Sequence, residues 1–343
     1  MENHKIETTN NNKQNSMINY SFNQDSTYIS IGTKDGFSII NCNNPKKVYK
    51  RKLGGAIKIV EMISSSNILA LVGGTENLKF PDNKLIIWDD YKQKIIAEFT
   101  FLSNIKKVLV NLGKIFVLSG SKLIIFNLDY FELIESFDIK EDTDNSNKLF
   151  SVSKNNNTLA YYADIKDDNI VNIKYYNNYT FYNKTKKNNI SIKIQEKIVY
   201  LKLNSNGTIL AVITVTKKLI LFEIKSKKII GEISLEFQDE SEINCIEFNE
   251  SDYYILVAIN KKIFIYSFDK KRRKEEEGFW ALLNGEIIKN YAICEIKTPA
   301  DKIRNICSFK DNNSIIFFNN FGKLYLIDLT KTENEKCFYK EIK

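Results

Sequence analysis

Histidine occurs once in 343 residues, as His4 in a polar, Asn-rich leader. That scarcity excludes Ser-His-Asp and Cys-His catalysis, histidine-ligated zinc and histidine proton shuttles. Arginine is almost as scarce: Arg51, Arg272, Arg273 and Arg304 are the whole set, so lysine supplies nearly all of the 50 basic residues behind the formal charge of +8. Lysine is a point charge without the planar fork that grips phosphates or guanine edges. The lysines are spread through both halves of the chain, which reads as a solvated surface and not a nucleic-acid footprint. The five cysteines, Cys42, Cys245, Cys294, Cys307 and Cys337, show no CxxC spacing. They are expected to be reduced, small core hydrophobes of a cytoplasmic protein, with no metal site. The chain has no run of 18 apolar residues and no basic-then-apolar leader, so neither a membrane-spanning helix nor a signal peptide is expected. With three prolines and no Pro/Gly/Ser-rich linker, a split into two domains has no support. The adjacent pairs Asp89-Asp90 and Asp167-Asp168 do not make acid–base sites, because neighbouring strand residues point to opposite faces. The sequence therefore predicts no enzyme, no catalytic residue and no cofactor.

What the sequence does have is a repeat. A short β-branched or aromatic run returns seven times: GFSIINC from Gly36, KLIIWDD from Lys84, KLIIFNL from Lys122, NIVNIKYY from Asn169, KLILFEI from Lys218, KIFIYSF from Lys262 and KLYLIDL from Lys323. Most copies follow a second strand entered through a turn, such as FNQDSTYISIG from Phe22, NSNGTILAV from Asn204 and FNESDYYILVA from Phe248. A period of roughly 45 residues holding about four short strands is the arithmetic of a propeller blade. Seven copies predict an all-β, seven-bladed β-propeller of WD-like repeats over 17–343, after a disordered tail over 1–16. A β-sandwich or two smaller β domains are the alternatives.

The interval between the sixth and seventh runs is longer than the others, which places an insertion in blade six at about 269–289. It reads DKKRRKEEEGFWALLNGEIIK. Lys270, Lys271, Arg272, Arg273 and Lys274 are expected to meet an anionic surface, at about 1 kcal/mol each. Phe279, Trp280, Leu282 and Leu283 are expected to enter the headgroup boundary. Glu275, Glu276 and Glu277 stand between the two halves, and a solvated loop whose aromatics fold back on the propeller is the competing reading.

The ordered series FNQD at 22–25, the strand ending in Asn41-Cys42, IVEM at 59–62, NILALVGG at 67–74, KLIIWDD at 84–90 and EFTF at 98–101 resembles the PROPPIN family, seven-bladed propellers of autophagy and endomembrane traffic. The resemblance implies a non-enzymatic, monomeric adaptor, cytoplasmic and peripherally bound to endomembranes or preautophagosomal membranes. It also implies recognition of phosphatidylinositol 3-phosphate and its 3,5-bisphosphate relative through two adjacent arginines in an F/L-R-R-G motif leaving blade five. Here Ser234 and Leu235 fall where those arginines belong, Ile220 falls near a supporting arginine, and no arginine lies between Arg51 and Arg272. A hydroxyl and an isobutyl group cannot replace guanidinium forks. Whether Lys217, Lys218, Lys227 and Lys228 build a substitute phosphate site stays open. By the same resemblance Asn23 and Asp25, in the blade-one turn, are nominated to dock autophagy partners of the lipid-transfer or conjugation class, although both types are also ordinary turn residues. Two functions follow: a propeller scaffold that meets membranes and recruits partners, or a protein-interaction propeller that has lost lipid binding.

Overall fold

The computed structural model describes residues 17–74, 79–139, 148–163, 169–176, 189–235, 243–252, 254–259, 262–267, 294–297, 306–318, 322–333 and 336–342. They form seven four-stranded antiparallel sheets, and each sheet takes its strands consecutively from the chain. The blades run over 17–52, 57–100, 105–138, 150–193, 198–234, 243–297 and 306–341. Every one of the seven repeated runs is the third strand of its blade, from Gly36–Asn41 in blade one to Leu324–Glu333 in blade seven. The seven-bladed β-propeller read from the repeat is the observed fold. In blade six the third strand Lys262–Ser267 pairs with a fourth, Cys294–Lys297, so the chain between Ser267 and Cys294 connects these two strands. The run at 269–289 and the tail at 1–16 lie outside the described residues.

Packing explains why second strands read as unbroken apolar runs. In Ile68–Gly73, five of six residues are buried. Leu69 and Leu71 pack with Phe37, Ile57 and Met62 between blades one and two. Ala70 and Val72, on the opposite face, pack with Val108, Ile115 and Val117 between blades two and three. Both faces of a blade are covered by its neighbours, so polar alternation has no place there. The apolar core is accordingly seven clusters, one at each contact between successive blades. Fourth strands form the rim and are largely exposed, as in Val48–Lys52 and Lys94–Thr100.

No strand is exchanged between the first and last blades among the described residues. Closure rests on side chains. Tyr20 meets Phe318 edge-on at 5.4 Å, Ser26 and Ser308 share a 2.6 Å hydrogen bond, and Ile29, Ile31, Ile316 and Leu324 fill the seam. Cys42 lies in the same cluster; its thiol is free and its pKa is pushed up to about 12 by burial. Cys245 and Cys307 are also buried and free, in keeping with their reading as core hydrophobes.

The turns leaving the inner strands add polar stitches. Asn204 accepts from the backbone N–H groups of Thr208 (2.8 Å) and Ile209 (2.9 Å), closing its own turn, and donates to Asp252 of blade six at 2.8 Å. Asn249 accepts from the Tyr254 N–H at 2.8 Å and donates to Asn312 of blade seven at 3.2 Å. Gly207 completes the first of these turns at φ 67°, where a Cβ would stand 2.5 Å from Thr158 Oγ1 of blade four.

Candidate functional site

The blade-one turn carries the same device. Asn23 is 4% exposed; it accepts from the Tyr28 N–H at 2.9 Å and donates to Ser65 of blade two at 3.3 Å. Its amide therefore faces inward. Asp25 remains exposed while accepting from Thr27 and from Ser65 Oγ at 3.1 Å. Those hydrogen bonds hold its carboxyl below the ordinary range against the opposing effect of partial burial. Of the two nominated partner residues, only Asp25 presents its polar group to solvent.

In blade five, the fourth strand Lys228–Ser234 ends at the first of the two positions where the paired arginines were sought, and Leu235, the second, follows it. Ser234 is exposed and pairs with Lys218. Leu235 is 4% exposed and sits among Ile213, Leu219, Ile243 and Phe248 in the contact between blades five and six. An apolar side chain thus occupies the core at this position. Ile220 is buried as well, on the blade-four side. Lys218 is held by two carboxylates, Glu232 at 3.2 Å and Glu196 at 3.4 Å. Lys217 and Lys218 stand at one end of the strand Lys218–Glu223, and Lys227 and Lys228 at the other, since Lys218 pairs with Ser234 and Glu223 with Lys228. Six strand residues span about 20 Å, so the four lysines do not converge on one site. The nominated membrane residues Lys270, Lys271, Arg272, Arg273, Lys274, Phe279, Trp280, Leu282 and Leu283 lie outside the described residues.

The adjacent aspartates have separate duties. Asp89 accepts from Asn67 Nδ2 at 2.7 Å within blade two, whereas Asp90 takes the Arg51 guanidinium of blade one at 2.9 Å. Asp167-Asp168 lies outside the described residues. Among the described residues, no group of three or more His, Cys, Asp or Glu could hold a metal ion.

A polar centre that the repeat pattern does not announce lies on the propeller axis. The inner strands of all seven blades line a cavity of about 380 Å³. Register makes seven inner-strand positions equivalent: Ser21, Glu61, Leu109, Ser151, Lys202, Glu247 and Ser308. All seven line the cavity. Lys202 pairs with Glu247 of the next blade, and Lys154 reaches the same carboxylate at 4.0 Å. Ser21 Oγ donates to Glu61 at 3.1 Å. Burial pushes the Glu61 carboxyl up to about 8, and burial together with the charge of Lys202 holds Lys107 down at about 7. Lys107 lies over the Phe150 ring, 4.6 Å from its centroid. The sequence signal for this centre is a polar residue at matching depth in six of the seven inner strands, blade three having Leu109 there and its lysines, Lys107 and Lys106, two and three residues earlier. It becomes visible once the strands are placed in register.

The fold and these sites define a class: a seven-bladed β-propeller with consecutive blades, closed by side-chain packing, with a buried leucine, Leu235, just after the fourth strand of blade five. No family model matches the chain. Over 171 residues it is 34% identical to Autophagy-related protein 18 of Kluyveromyces marxianus, a match covering 46% of this chain and 33% of that protein. Over 124 residues it is 36% identical to SVP1-like protein 2 of Debaryomyces hansenii, covering 34% of this chain and 29% of the relative. The chain thus spans about a third of the length of the curated relatives it matches. Among solved structures, Hsv2 of Kluyveromyces marxianus superposes with a TM-score of 0.72 at 15% identity, over 96% of this chain and 98% of that one. KlAtg21, solved in complex with the coiled-coil of AgAtg16, superposes with a TM-score of 0.72 at 18% identity and the same coverage. The chain resembles the PROPPIN propellers in sequence over part of its length and in fold over nearly all of it.

Proposed function

We propose that this chain is a non-enzymatic, PROPPIN-like propeller scaffold of autophagy or endomembrane biogenesis, cytoplasmic and monomeric, that meets membranes peripherally and recruits protein partners. The observation that carries the reading is the sequence similarity to Autophagy-related protein 18 joined to the seven-bladed fold. Membrane contact is assigned to the connection between Ser267 and Cys294. Its sequence places KKRRK before FWALL, a cationic cluster beside apolar side chains, the combination that favours binding at an anionic interface. Recognition of phosphatidylinositol 3-phosphate or the 3,5-bisphosphate by an arginine pair is not part of the proposal, because Ser234 and the buried Leu235 offer no guanidinium. Asp25 is the proposed contact for an autophagy protein of the lipid-transfer or conjugation class, with Asn23 fixing the turn that presents it.

Flotation with anionic vesicles, with and without the two 3-phosphorylated lipids, tests the membrane half. The expected result is flotation that needs anionic lipid, changes little with 3-phosphorylation, and is lost when residues 269–289 are replaced by a Gly-Ser linker. Equal flotation of the linker variant sinks the assignment of the loop. A second reading, a propeller that works only through proteins, is favoured by the burial of Leu235 and the ion-paired Lys218. It prevails if wild type does not float while Asp25→Ala loses a captured autophagy partner at unchanged thermal stability.

A further inference from the structure

The outer edge of blade one differs from that of its neighbours. Its fourth strand, Val48–Lys52, ends the sheet and pairs on one side only, with Gly36–Asn41. That pairing runs without a register shift from Gly36 opposite Lys52 to Ile40 opposite Val48. In blades two, three and five the register shifts between Ile87 and Trp88, Ile125 and Phe126, and Leu221 and Phe222. Such bulges bend an edge away from further pairing. Blade one thus has the longest regular outer edge among the described residues. The Asn41 N–H donates to the Lys47 carbonyl at 3.3 Å, and the Leu53 N–H to the Asp35 carbonyl at 2.7 Å. Antiparallel residues alternate between bonding toward the partner strand and away from it. Tyr49 and Arg51 therefore bond inward, while Lys50 and Lys52 turn their N–H and C=O groups outward.

The side chains of this edge are as distinctive. The run Lys46-Lys47-Val48-Tyr49-Lys50-Arg51-Lys52 holds five cations and no Asp or Glu, and every residue in it except Arg51 is exposed. Arg51 points toward blade two, where it meets Asp90 and lies 5.2 Å from the Tyr49 ring centroid. Lys50 and Lys52, one residue out of step, stand on the opposite face. Cations on both faces of a sheet edge cannot all meet a planar surface such as a bilayer. A strand laid alongside in the same sheet presents side chains to both faces, so its carboxylates can lie opposite the cations on each. Edge lysines also repel a second copy of the same strand, which leaves a segment of opposite charge as the fitting occupant. Val48 and Tyr49, each 42% exposed, offer it apolar contact, one on each face.

We propose that an acidic, extended peptide segment of a partner protein docks on blade one as a fifth strand beside Val48–Lys52. Its backbone bonds to Lys50 and Lys52, and its carboxylates face Lys46, Lys47, Lys50 and Lys52. Main-chain pairing supplies affinity in this mode of recognition and the flanking side chains supply selectivity. The docking edge is separate from the blade-six connection and depends neither on the membrane reading above nor on Asp25.

Fluorescence anisotropy of the full chain with a labelled peptide, Glu-Glu-Val-Thr-Val-Glu-Glu, at fixed ionic strength is the test. Wild type should show saturable binding near one to one. Two N-methylated forms of the peptide, one at both valines and one at the threonine, separate backbone pairing from charge. They block opposite edges of the peptide strand, so one should lose affinity tenfold or more and the other should keep it. Lys50→Glu with Lys52→Glu should lose binding tenfold or more at unchanged melting temperature. Lys227→Glu with Lys228→Glu, at the shifted outer strand of blade five, should leave it unchanged. Hydrogen exchange should show the Lys50 and Lys52 amides slowed when the peptide is added. The proposal is overturned if wild type gives no saturable binding, if both methylated peptides bind as well as the unmodified one, or if those two amides are not slowed. It also falls if the blade-five variant loses as much affinity as the blade-one variant. Loss of flotation on phosphatidylserine vesicles by the Lys50→Glu, Lys52→Glu protein would overturn it in favour of a membrane-facing edge.

Discussion

Asn204→Ala tests how the blades are held in register. Asn204 is 0% exposed. Its carbonyl oxygen accepts two backbone N–H groups of its own turn, and its amide donates to Thr208 Oγ1 at 2.9 Å and to Asp252 Oδ2 at 2.8 Å. Truncation removes all four bonds at once. The Ile209 N–H is left part-buried without its acceptor, and the Asp252 carboxylate, whose burial already disfavours its charge, loses a donor. A net hydrogen bond contributes about 1 kcal/mol and a stranded buried group costs about 1–3. The Thr208 groups are open to water, so the whole change should cost about 3 kcal/mol. An unfolding entropy of about 2.1 cal/mol/K per residue over the whole chain converts this to a fall of about 4 °C in melting temperature. Differential scanning calorimetry of Asn204→Ala beside Asn43→Ala, an exposed turn asparagine, reads the difference directly. Asn204→Asp keeps both backbone bonds but sets a second carboxylate against Asp252, so its deficit should grow as pH rises through the carboxyl range. If Asn204→Ala melts no lower than Asn43→Ala, the interblade stitch contributes nothing and the reasoning fails. The same logic makes Asn23→Ala destabilising, so a lost partner in that variant would not by itself report a binding residue.

Two further outcomes are expected. Glu61 is raised from 4.5 to about 8 by burial, so between those values the folded state holds a proton that the unfolded state releases, and stability falls as pH rises across that window. Glu61→Gln removes this loss and should gain up to about 3 kcal/mol at pH 7 and nothing below pH 4.5; denaturant melts giving equal pH profiles for both proteins would refute it. Ser234→Arg with Leu235→Arg restores the arginine pair in sequence but drives a guanidinium into the apolar contact between blades five and six, at a cost of about 3–5 kcal/mol. It should lower the melting temperature without producing flotation specific for 3-phosphorylated lipid. Such flotation at unchanged stability would refute the account of Leu235.

The third strands were the legible part because each is a β-branched or aromatic run bounded by a turn, and the spacing of seven such runs counts the blades before any contact is known. Fourth strands such as Val48–Lys52 were faint, since an exposed rim imposes little apolar pattern. The resemblance carried by 22–101 pointed to the PROPPIN propellers, and the absence of any arginine between Arg51 and Arg272 is read from the sequence alone, because a missing residue type needs no coordinates. Glu61, one letter of IVEM, gave no sign of its surroundings. Lys107, Lys202 and Glu247 come from three other stretches of chain, separated by up to 140 residues and set side by side only by ring closure.

Histidine and arginine scarcity, the seven repeats and the cationic-aromatic run at 269–289 were thus determined by the sequence, because composition and strand period are local properties. Tertiary structure decided that Asn23 turns inward while Asp25 faces solvent, that Leu235 is core, that Lys218 is neutralised by Glu196 and Glu232, and that a lysine-rich cavity occupies the axis. Each of these depends on which blade stands next to which. Burial and electrostatic partners across a closed ring are set by neighbours that lie tens of residues away in the chain, and no local pattern encodes them.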